Sequence, residues 1–164
     1  MFRLLLILLL LIFAGCGQEG VVEAIPPQTG ETSGAATTVV TQADDAPDDD
    51  APAGDADVLA AVATQAKDGT WSFKVTVRHP DTGWEDYANG WDVVLPDGTV
   101  VKRQATDPFT RLLGHPHVDE QPFTRSQSRL VIPKDVKQVT VRAHDLKDGF
   151  GGKTLDVELP ASSQ

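Results

Sequence analysis

Residues Trp71-Ser72-Phe73-Lys74-Val75-Thr76-Val77-Arg78 alternate apolar and polar without a break. In an extended chain successive side chains point to opposite faces, so this run buries one face and wets the other. It predicts a strand. Gln138-Val139-Thr140-Val141-Arg142-Ala143 and Thr154-Leu155-Asp156-Val157-Glu158-Leu159 repeat the pattern. Gly90-Trp91-Asp92-Val93-Val94-Leu95 reads as another strand, which Pro96-Asp97-Gly98-Thr99 turns into Val100-Val101-Lys102. Proline presets φ at such a turn and glycine accepts a positive one. Residues 58–65 carry enough alanine for a helix, yet they run into Lys67-Asp68-Gly69-Thr70, a good hairpin turn before Trp71. They are read as the first strand. Residues 123–132 predict one or two short strands, ended by Pro133, and no stretch sustains a helical stripe.

About seven short strands with frequent turns predict an all-β chain: a single antiparallel β-sandwich over residues 58–160. The spacing resembles that of immunoglobulin-like and fibronectin-type domains. The likeness is architectural, because the antibody Cys…Trp…Cys signature is absent from a chain with one cysteine. A small barrel of the OB type is the fallback.

The net charge of −10 does not belong to this domain. Residues 17–57 hold ten acids and no Lys or Arg, whereas residues 58–164 hold fourteen acids against thirteen bases. The acidic stretch is rich in Ala, Thr, Pro, Gly and Asp and has no aromatic residue. Such a composition cannot bury enough apolar surface to offset the entropy of ordering, and like charges push it open. It predicts a disordered linker over residues 16–57, with a coil span of roughly 35 Å and a stretched limit of about 140 Å. A calcium loop is the weaker reading of Asp44 to Asp50, because Pro and Ala break the required ligand spacing.

Ahead of the linker, Arg3 precedes an apolar run from Leu4 to Phe13, followed by Ala14-Gly15-Cys16. A charged start, a short apolar core and small residues before a cut site predict a secretory signal over residues 1–15. A membrane-spanning helix would need about 20 apolar residues. Phe13-Ala14-Gly15-Cys16 resembles the lipobox of bacterial lipoproteins, with Phe13 where leucine is usual. The resemblance implies cleavage before Cys16, a diacylglycerol on its sulfur, and a protein anchored to membrane through covalent lipid in the bacterial cell envelope. In a Gram-negative cell, Gly17 in place of Asp favours the outer membrane, facing the periplasm. With Cys16 lipidated, neither a disulfide nor a free thiol remains, and the domain depends on its own packing. Residues 161–164 are expected to be a flexible tail.

Three loop features could carry function. His115-Pro116-His117 places two imidazoles in a loop, and with His79, His144 or Asp119 completing the site they could hold copper or zinc, since neutral imidazole suits both metals. His79 shares strand parity with Val75 and Val77, whereas His144 is in phase with Thr140 and Arg142, so the two face opposite sides. Packing beside Pro116 and Val118 is the plainer role for the pair. Trp84 and Tyr87, near Trp91, could stack on a sugar or peptide, or simply lid the sandwich end with Trp91 in the core. Asp148-Gly149-Phe150-Gly151-Gly152-Lys153 lies between strands and lacks the helix a phosphate loop needs, so it reads as a hairpin loop with Phe150 available for contact.

A near-neutral domain and an acidic linker argue against nucleic acid. The expected function is therefore a non-catalytic binding or accessory module with an envelope protein or glycan as partner. Its contact loops are residues 80–90, 114–121 and 146–152, and its one covalent group is the lipid on Cys16. The alternative is a periplasmic metal-binding protein using His115, His117 and His79. An envelope hydrolase has the least support, because no nucleophile elbow or zinc-protease helix is present.

Overall fold

A computed structural model describes residues 37–42 and 55–160. The expected signal, Cys16, most of the linker and residues 161–164 lie outside them. Eight strands follow in order among the described residues: β1 (Thr37–Gln42), β2 (Asp57–Gln65), β3 (Trp71–Arg78), β4 (Ala88–Val94), β5 (Arg111–Leu112), β6 (Phe123–Leu130), β7 (Gln138–Asp145) and β8 (Leu155–Glu158). They form two four-stranded sheets, ordered β1-β2-β3-β6 and β5-β4-β7-β8, with every pairing antiparallel. The described residues contain no helix. The described residues form an all-β sandwich.

Period two sets the inside. On β3 the residues Trp71, Phe73, Val75 and Val77 are buried while their neighbours are half-buried or exposed. On β7 the buried set is Val139, Val141, Ala143 and Asp145. These two faces meet Trp91 and Val93 of β4, Phe123 and Leu130 of β6, and Val157 of β8 in one core. The turn chemistry is as expected, with Gly69 at φ 82° and Gly98 at φ 86°. Backbone bonds from Gly69 to Ala66 and from Gly98 to Leu95 close the two turns.

Two expectations need correction. Thr37–Gln42, assigned to the linker on composition, is a strand in register with Gln65 back to Ala60 of β2. Its sequence Thr-Thr-Val-Val-Thr-Gln is mostly β-branched, and such side chains suit a half-buried sheet surface. Val100-Val101-Lys102 is not a strand: a single bridge joins Val100 to Val94, and Val101 donates to Val93. Beyond that bridge Thr110 takes over the edge of β4. Its hydroxyl accepts from the Val93 amide at 2.8 Å and donates to the Val101 carbonyl at 2.6 Å, while its own amide donates to Asp92 at 3.0 Å.

The chain changes sheets between β3 and β4, β5 and β6, and β6 and β7. Ala88 pairs with Asp145 and Val77 with Phe123. The loops β3–β4, β5–β6 and β7–β8 therefore gather at one end of the sandwich.

Replacing fully buried Phe73 by alanine removes a side chain that the core cannot re-form around. Urea unfolding of F73A should show a loss of about 3–5 kcal/mol, while exposed Leu112→Ala stays within about 0.5 kcal/mol of wild type.

Candidate functional site

The alternation of β3 runs one step past its end. His79 has the parity of Val75 and Val77, points inward, and is 1% exposed. Its Nδ1 lies 2.6 Å from Asp81 Oδ1, and its Nε2 lies 2.7 Å from Asp145 Oδ2. The side chains of Asp81 and Asp145 are wholly buried as well. Because Asp145 ends β7, the ring ties one sheet to the other. A third carboxylate, Asp86, brings Oδ1 to 3.7 Å from the same Nε2. That oxygen is buried and has no hydrogen-bond partner.

Buried carboxylates need donors, because a charge that leaves water unpaired is costly. Asp81 accepts from His79, from the Ala88 amide at 3.1 Å and from the His117 amide. Asp145 Oδ1 accepts from the Lys147 amide at 2.6 Å. Gln121 accepts from the His79 amide at 3.0 Å and donates to the His117 carbonyl at 3.3 Å. Three loops are thus laced to one buried imidazole. Gly152 completes the closure of β7–β8: a Cβ there would run into the Ala56 backbone. Lys153 exchanges backbone bonds with this segment, donating to the Asp57 side chain and accepting from the Val58 amide.

Of the histidines expected to meet at a metal, His79 and His117 both reach Asp81, while His115 stays outside. The His117 ring stacks on Phe123 with centroids 3.8 Å apart, and the His115 ring meets it tilted, at 4.5 Å. His115 Nδ1 is 3.0 Å from the Pro116 carbonyl. His117 Nδ1 is buried without a hydrogen bond, 3.7 Å from Asp81 Oδ2. Burial pushes the His117 imidazole below its ordinary pKa, and the charges of Arg125 and His115 add to this against Asp81 and Glu120. Burial also lowers His144, which faces outward and pairs with Asn89 Oδ1 at 2.6 Å.

Among the described residues, atoms of His79, Asp86 and Asp145 lie close enough to share a cation, all within 4.8 Å of one another. The three aspartates of this cluster were missed in the sequence. Asp81 and Asp145 nevertheless hold inward parity, two residues beyond His79 and Ala143, and an acid at such a position is a readable signal.

The aromatic loop residues sit at the same end. Trp84 is 66% exposed and meets Tyr87 edge-on at 5.9 Å. Phe150 is 42% exposed, with the Arg142 guanidinium 3.8 Å above its ring and His144 against its edge. Trp91 is fully buried.

No family model and no solved structure matches the chain. Over 139 residues it is 31% identical to a protein of Halomicrobium mukohataei named "Putative lipoprotein". The matched stretch covers 82% of this chain and 65% of that protein, so the chain spans less than two thirds of its relative's length.

Two outcomes follow from the cluster. Asp81→Ala strands three buried donors and should cost about 3–5 kcal/mol in chemical denaturation. His117 titrates at a lower pH folded than unfolded, so the unfolded chain binds more protons between those two values. Its contribution is complete above the unfolded value and is lost as pH falls through the folded one. The melting-temperature gap between wild type and His117→Asn should therefore narrow from about pH 7.5 to about pH 5.

Proposed function

We propose that this chain is a lipid-anchored, non-catalytic binding or accessory module of the cell envelope, built on an immunoglobulin-like sandwich. The lipobox resemblance at Phe13-Ala14-Gly15-Cys16 and the name of the Halomicrobium relative support the anchor. The matched stretch is longer than residues 57–164, so the similarity reaches into the segment that precedes the domain. Strand order supports the immunoglobulin-like reading. From β2 onward the first, second and fifth strands share one sheet, and the fourth, third, sixth and seventh share the other. A buried tryptophan on the third strand, here Trp91, is a hallmark of that architecture.

One observation carries the binding role: an exposed Trp84 stands on a loop braced from beneath by buried hydrogen bonds. Aromatic tips on a rigid β scaffold are the usual anchors of a contact surface, and an envelope protein or glycan fits such a surface. His79 is sealed from solvent with a carboxylate against each ring nitrogen, a poor position for a general base that must reach substrate.

Two measurements test this reading. The mature N-terminal peptide should carry a lipid-sized mass on Cys16, and the full chain should enter the detergent phase while Cys16→Ser stays aqueous. An unmodified Cys16 overturns the anchor. A photoreactive residue at position 84 of the anchored chain should form one discrete adduct in intact cells, absent when the probe moves to exposed Val131 at the opposite end. Equal adducts from both positions overturn the contact surface.

A further inference from the structure

We infer that His79 Nε2, Asp86 Oδ1 and Asp145 Oδ2 form a binding site for a divalent transition cation of the Zn2+ class, with Asp81 as the carboxylate that orients the imidazole. The inference is independent of the lipid anchor and of any partner at Trp84.

The geometry around Nε2 is the starting point. Two carboxylate oxygens converge on one ring nitrogen, at 2.7 and 3.7 Å. A proton on Nε2 can serve only the nearer of them. It satisfies Asp145 and leaves Asp86 Oδ1 as it stands, buried and without a hydrogen bond. A divalent ion serves all three atoms at once and offsets two like charges held close together. Lys147 does not do this: its Nζ lies 3.9 Å from the other oxygen of Asp86 and is mostly in solvent.

The far side of the ring has the form that metal-bound histidines take. Asp81 Oδ1 accepts from Nδ1 and keeps the proton there, so that Nε2 is the nitrogen that would give up its proton to solvent when a cation binds, its lone pair then directed toward Asp86 and Asp145. Asp81 is itself held by the Ala88 and His117 amides, so the ring cannot swing. His117 adds a second unpartnered atom: its buried Nδ1 has no hydrogen bond and faces Asp81. His79, Asp81 and Asp145 side chains are wholly buried, while Asp86 is partly open to solvent.

The donor set selects the ion. One imidazole and two carboxylates suit Zn2+, Mn2+ or Co2+, whereas Ca2+ requires six to eight oxygens. Ligands around tetrahedral zinc lie about 3.3 Å apart, so Asp145 would retreat from Nε2 by several tenths of an ångström and Asp86 would approach. Three protein ligands leave a fourth position on the Asp86 side, where solvent enters. Only His79 is shared with the site expected from the sequence. His115 and His117 give way to two aspartates.

The test uses the full chain purified in detergent and stripped with a chelator. Zn2+ should bind at one equivalent, and at about 100 times its Kd it should raise the melting temperature by on the order of 10 °C. Co2+ should give visible absorption bands of low-symmetry, four-coordinate character. Asp86→Asn should fold with a melting temperature no lower than that of wild type before Zn2+ is added, yet weaken Zn2+ binding at least tenfold and abolish the Co2+ bands. His115→Ala should bind as wild type does. Absence of Zn2+ binding to the stripped chain overturns the site, and so does undiminished binding by Asp86→Asn. Loss of binding in His115→Ala would place the metal in the exposed loop and likewise overturn it.

Discussion

Taking the Asp81 carboxylate out of water obliges the protein to surround it with donors, and those donors come from three separate places in the chain. His79 lies two residues before it, Ala88 opens β4, and His117 belongs to the loop before β6. Satisfying one buried charge therefore fixes the relative positions of β3–β4 and β5–β6, and His79 extends the constraint to the end of β7. In antibody domains a disulfide joins the second and sixth strands across the two sheets. In this sandwich the strands at those places after residue 57 are β3 and β7, joined at their ends by His79 and Asp145. A chain whose sole cysteine lies upstream of the domain has used charge where a thiol pair is not available.

Stability is a poor explanation for this arrangement. A buried ion network can often be replaced by apolar side chains of similar volume without loss, whereas removing a single partner is severe. The apolar solution was within reach, since the same inward positions one and two steps earlier are filled by Val75, Val77, Val141 and Ala143. What an apolar filling would not supply is direction. Hydrogen bonds fix the angle at which each loop leaves the sandwich, and an imidazole between carboxylates presents one defined nitrogen to whatever lies beyond it.

The alternation of polar and apolar residues made the strands legible, because one-sided burial imposes period two on the sequence itself. It also puts His79 on the inward face and His144 on the outward one, in keeping with the burial of the first and the Asn89 pairing of the second. Composition misjudged Thr37–Gln42. That strand is short, lies in an acidic neighbourhood and owes its order to β2, a long-range partner that local composition cannot reveal. Val100 failed for a related reason: the β4 edge was claimed by Thr110, seventeen residues beyond Val93, through a side-chain hydroxyl. At the loop end the His-Pro-His motif is legible because like residues stand together in sequence. The better-connected cluster was assembled from His79, Asp81, Asp86 and Asp145, whose spacing has meaning only after β3 and β7 are brought face to face.

Asp86 connects this cluster to the surface. It closes a tight turn in which Thr82 donates to the Asp86 carbonyl at 3.0 Å and the Asp86 amide donates to Gly83 at 3.2 Å. Gly83, at φ 146°, permits that turn, and Trp84 projects from its tip. Any ligand that draws Asp86 Oδ1 toward Nε2 pulls on the base of the loop that carries Trp84. A free loop must lose conformational freedom when a partner docks, and a loop already held by its base loses less. Were the proposed cation and the proposed partner both to bind, occupancy of the buried site and affinity at the exposed tryptophan would be linked through this loop, and such coupling is reciprocal. The pivot is Asp86, whose side chain has one oxygen buried against the histidine and the other turned toward Lys147 and water.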